Sequence, residues 1–168
     1  MKKMENLAEI LSHRGKNYML KELPLEKIKL TEIENKVISA RQVGFSISQF
    51  DHTGLKTIFD ELILNISVIS GASMPNTNFL ADALNFRLID YLQKFGYGNL
   101  TIEEITLAFY FNAKGGLSYP SGIDIESIIF SGAYVNVEYV SKVLSNYMAI
   151  RNMLDRKFQN LIDEQNGL

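Results

Sequence analysis

A chain of 168 residues with 46% apolar and 21% charged side chains is long enough for one domain with its own core and too apolar to be disordered. Its formal net charge of −2 supplies no whole-chain field to draw in nucleic acid. The absence of cysteine excludes disulfides, thiolate metal sites and a cysteine nucleophile.

The opening MKKMENLAEILSHRGK places Glu5 and Glu9 where a secretory signal needs an unbroken apolar run, which argues against such a signal. Leu7, Ile10 and Leu11 fall at helical spacing, so a helix is expected over about 2–13, with Gly15 to end it. Residues 1–30 carry seven lysines and arginines against four glutamates. Within them HRGKNY brings His13, Arg14, Lys16 and Tyr18 together. Arg14, Lys16, Tyr18 and Lys21 are therefore candidate nucleic-acid contacts, cations for phosphate and a ring for stacking. LPLEKIKL (23–30) alternates apolar and charged residues and reads as a short extended piece.

Thr31 and Glu34 have the spacing of a capping box and predict a helix closed by Gly44, with Ile33, Val37, Ile38 and Val43 as its apolar face. FSISQF (45–50) alternates and reads as extended. Asp51 or Thr53 caps the next helix, which runs to about Ser70 with Leu55, Ile58, Phe59, Leu62, Ile63 and Ile66 at intervals of three and four. It contains the longest apolar run, LILNISVIS, far short of the roughly 20 residues that span a bilayer, so no membrane partner is expected. After a loop holding Pro75, a helix is expected from about Thr77 to Phe95. Its stripe is Leu80, Ala81, Leu84, Leu88, Tyr91, Leu92 and Phe95, and Gly96 and Gly98 end it.

GNLTIEEITLAF (98–109) sets two adjacent glutamates beside threonines. Thr101 and Glu104 match a capping box, and Leu100 and Ile105 match the hydrophobic staple that accompanies one. Glu103 lies in the first turn, where the helix dipole favours a carboxylate. Helix initiation accounts for both glutamates without catalysis, because a helix must satisfy its first four amides. Residues 112–136 form a long connection with four glycines, and IDIESIIF within it reads as a strand or a single helical turn. The last helix starts near Asn136 and runs to about Asp163 on Val140, Leu144, Tyr147, Ile150, Leu154, Phe158 and Leu161. Its length, on the order of 40 Å, exceeds what a domain of this size needs to bury. The far end is accordingly expected to meet another subunit or a partner through Met153, Phe158, Leu161 and Ile162.

Groups suited to chemistry are few. His13 and His52 are the only histidines, and neither has a second ligand at metal spacing. There is no phosphate-binding loop and no nucleophile elbow. Asp82 and Asp90 can share a helix face, and Arg151, Arg156 and Lys157 make a second small basic cluster. Both read more simply as solvated surface. The expectation is a mainly all-α domain over 1–168, of five to six helices with a long C-terminal helix and short extended segments. No catalytic, cofactor-binding or metal-ligating residue is assigned, and no cofactor is expected.

LTIEEITLAFYFNAKGG, a Gly/Ser-bearing connection, and then YVNVEYVSKVLSNYMAIR together resemble a pattern in small helical proteins of phages and mobile elements from Bacteroidota. The matching residues are Thr101, Glu104, Ile105, Ala108 and Phe109, then Gly115 or Gly116, then Val143, Leu144 and Tyr147, within about residues 100–150. The connection here is longer than in that pattern. Such proteins are grouped with replication and are somewhat similar to helicase loaders. The resemblance implies a non-enzymatic accessory protein in the cytoplasm of a bacterial host cell. It would act by protein–protein contact with a replicative helicase or another replication protein, and as a homo-oligomer if the last helix pairs with itself. Two alternatives stay open: a virion component or host-defence inhibitor, and a nucleic-acid binder using the basic N-terminal region.

Overall fold

Every helix described below begins on a side chain suited to capping it. The computed structural model describes residues 28–119, 123–132 and 134–167. Among them are five helices: α1 (Glu32–Gln42), α2 (His52–Ser70), α3 (Asn78–Lys94), α4 (Ile102–Ala113) and α5 (Val137–Asn166). Thr31 and Thr101 each form a complete capping box, with Glu34 and Glu104 respectively. Asp51, Thr77 and Asn136 accept from the amides of Gly54, Leu80 and Tyr139. Each such cap stabilises its helix by about 1 kcal/mol. Gly71 ends α2 at φ +71°, a left-handed conformation that a side chain would strain. Between α4 and α5 a short antiparallel pair, β1 (Leu117–Tyr119) and β2 (Ile123–Ile125), sets Leu117 opposite Ile125.

The fold is thus mainly α-helical, as the periodicity predicts. The core draws Leu55, Phe59, Leu62, Ile63 and Ile66 from α2 and Leu88, Ile89 and Leu92 from α3. From α4 come Ile105, Ala108, Phe109 and Phe111. The staple pair, Leu100 and Ile105, is fully buried. α2 packs on α3 and α4, while α5 packs on α3 and α4.

The structure corrects the expectation for the far end of α5. Phe158 is 0% and Ile162 2% exposed, and Met153 and Leu161 are partly buried against the same core. At about 1.5 Å per residue this 30-residue helix spans about 45 Å, and side chains of α1 reach its second half. There Arg41 bonds Asp155 and Glu34 bonds Lys157. The four residues assigned to a partner therefore face the chain's own core. Comparing helix length with domain size overlooked that α1 returns to that end.

Three smaller expectations also change. Residues 47–49 form a 3-10 turn, and the segment is stitched to the start of α4 by Ile47 N donating to Leu100 O (3.0 Å) and Ser48 N to Gly98 O (2.9 Å). Val43, assigned to the apolar face of α1, lies past its end and is exposed, as are Leu80 and Phe95 on the predicted α3 stripe. The position on α3 that faces inward instead is Asn85, which donates to Lys56 O and to Asp60. The expected helix over 2–13, the extended piece up to residue 27, and Arg14, Lys16, Tyr18 and Lys21 lie outside the described residues.

Candidate partner-binding groove

The charged groups nearest the centre of the molecule are committed to one another. Glu104 is 0% exposed. Its Oε2 accepts from Thr101 N (3.0 Å), and its Oε1 accepts from the Tyr147 hydroxyl (2.9 Å) and pairs with Arg151 Nε (2.9 Å). Thr101 Oγ1 accepts from Glu104 N and donates to Ala40 O, which ties the start of α4 to the end of α1. One turn further along α5, Asp155 pairs with Arg41 at 2.9 Å, both side chains about 5% exposed or less. Tyr147, Arg151 and Asp155 recur every fourth residue and so form one stripe of α5. Burial, and then the Glu104 carboxylate, push the Tyr147 hydroxyl well above the usual tyrosine value. Burial and the neighbouring Arg41 lower Arg151. This constellation has the residue types of an active site, but it is sealed from solvent and serves to hold three helices in register.

Outside this network, α1 and α4 line an open groove of about 990 Å³. The helices run antiparallel: Thr101 touches Ala40 at one end, and Lys114 lies near enough to Glu32 at the other to help lower its carboxyl. The larger cause of that lowering is the hydrogen bond from Lys36. The α1 wall carries Glu32, Asn35, Lys36, Ser39 and Ala40, and the α4 wall Ile102, Glu103, Thr106, Leu107 and Tyr110. Tyr110 is 58% exposed. Lys36 is held by Glu32 at 2.7 Å. Where the groove ends, Val43 and Phe45 stand exposed on either side of Gly44, with Phe45 set edge-on to Phe50.

Glu103 is the exception in this wall. Its carboxylate makes no ion pair or hydrogen bond among the described residues, and its Oε2 is shut off from solvent. It lies over Gly44, where a Cβ would stand 1.9 Å from Oε2. The helix-dipole role expected from the sequence accounts for the carboxylate's place in the first turn of α4, but not for an oxygen without a donor.

Other sequence candidates are dispersed. Asp82 pairs with Lys56 and Asp90 with Lys94, each on its own stretch of α3. The basic cluster near the C-terminus is divided: Arg151 is buried on Glu104, Lys157 is drawn to Glu34, and Arg156 is exposed. Lys36 and Leu107 carried no site reading in the sequence, and the aromatics of AFYFN (108–112), Tyr110 among them, read as core rather than as the frame of a pocket. The available signal was Tyr110, the one aromatic of AFYFN that points away from the core. Leu64, Val68, Phe79 and Phe86 are also exposed, on the outer faces of α2 and α3.

Among the described residues no three His, Asp or Glu side chains gather to hold a metal ion, and no helix is long and apolar enough to cross a membrane. No protein-family model, no curated protein and no solved structure matches the chain.

Proposed function

We propose that the protein is a non-enzymatic accessory factor that acts by holding another protein in the α1–α4 groove. The observation that carries this reading is the groove's combination of shape and uncommitted side chains. It is open along its length, partly apolar through Ile102, Leu107 and Tyr110, and continued by exposed Val43 and Phe45. Half-buried Ile102 and Leu107 beside exposed Tyr110 offer apolar area that a partner would remove from water. The titratable cluster that resembles chemistry, by contrast, is spent inside the core. The likeness of residues 100–150 to helical mobile-element proteins supports a replication protein as the partner, with a replicative helicase the first to assay.

The test is capture by cross-linking in host cells with the native chain and with Phe45→Asp and Tyr110→Asp. Both residues are more than half exposed, so each variant should melt within a few degrees of the parent. A partner retained by the parent and lost by both variants supports the groove. If that partner is a helicase, its loading or unwinding rate should change on adding the native chain and not the variants. An unchanged capture profile with both variants would remove the groove from consideration.

A further inference from the structure

We propose that the occupant of the α1–α4 groove is an apolar helix of the partner that carries a lysine or arginine, and that this cation is received by Glu103. The inference rests on the groove being the contact surface and adds the chemistry of what fills it.

Charge decides the sign. The other glutamates of α1 and α4 each have a cation: Glu104 pairs with Arg151, Glu34 with Lys157 and Glu32 with Lys36. The one lysine in the groove is thereby engaged. Among the described residues Glu103 has no cation and no donor, and its Oε2 is out of reach of water. A cation brought by a partner would give that carboxylate the donor it lacks among the described residues. An acidic partner would set a second carboxylate against Glu103. The one lysine of the groove walls, Lys36, already pairs with Glu32.

Shape decides the element. Two antiparallel helices of 11 and 12 residues wall a channel about 16–18 Å long, which accepts roughly three turns of a third helix. Ile102, Thr106 and Tyr110 recur every fourth residue of α4, so they line up along the channel. Anchors at matching intervals on an amphipathic helix would meet them. Gly44 leaves room for the carboxylate to lie against the backbone.

The test uses the full chain, isotope-labelled, titrated with two synthetic amphipathic peptides of about 12 residues, roughly three helical turns. They share one leucine face and differ only in carrying lysine or glutamate along its edge. The lysine peptide should shift amide signals of α1 and α4, and Glu103→Gln should weaken it at least about tenfold, as loss of a charged hydrogen bond predicts. Glu103→Gln keeps the side chain's size and breaks no hydrogen bond or ion pair among the described residues, so the fold should persist. Equal affinity for both peptides, or indifference to Glu103→Gln, overturns the cation rule and leaves the groove as a contact surface. Absence of binding, or shifts confined to α2 and α3, overturns the groove assignment as well.

Discussion

Glu103 Oε2 occupies the space that a side chain at position 44 would need, since a Cβ on Gly44 would meet it at 1.9 Å. The obstructing atom is the end of a flexible side chain, so Gly44→Ala should swing the carboxylate aside at a cost of about 1 kcal/mol or less. In a Glu103→Ala background the same substitution should cost nothing or slightly stabilise, because alanine restricts the unfolded chain. Urea denaturation of the four combinations gives the coupling. Equal costs in both backgrounds would show that the contact does not govern position 44.

Arg151→Met leaves Glu104 charged and buried without its cation. Removing one member of such a pair costs about 3–5 kcal/mol. Adding Glu104→Gln should restore much of that loss, since neither charge then remains. Lys157→Met should cost about 1 kcal/mol or less, because its pair with Glu34 is a third exposed at the lysine. Additive losses for Arg151→Met and Glu104→Gln would contradict the network drawn here.

Phe158 separates the two accounts of the last helix. Its side chain is fully buried within one chain, so Phe158→Ala should cost about 3–5 kcal/mol in urea. Sedimentation should show the same oligomeric state before and after. A variant of unchanged stability but altered mass would restore the partner role for this end of α5.

Tyr147 predicts an alkaline limit. Its folded value is raised above 10.0, so the folded state holds the proton more tightly than the unfolded chain. The stability this contributes is complete below about pH 10 and is lost as pH rises from there towards the folded value. Tyr97 and Tyr139, also raised by burial, add to the decline. Tyr147→Phe should flatten the fall by about 1.4 kcal/mol per pH unit, one proton's worth. Identical slopes for parent and variant between pH 9 and 11 would exclude Tyr147 as a source.

Local rules and packing divide this protein between them. The capping boxes at Thr31 and Thr101, the cap at Asn136, the apolar faces of α2 and α4 and the mainly helical class were legible in the sequence. Each depends on residues three or four apart, whose relation is set by the helix itself. The partners of Glu34, Glu104, Arg41 and Arg151 were not legible. Those contacts join residues tens to more than a hundred positions apart, and a glutamate that starts a helix looks the same whether or not it also receives an arginine. For the same reason the end of α5 read as spare surface, until α1 was placed against it. Periodicity determined which side of each helix is apolar. Only the docking of one helix on another decided which apolar residues are covered, which charges cancel, and that Glu103 lines a groove without a counterion among the described residues.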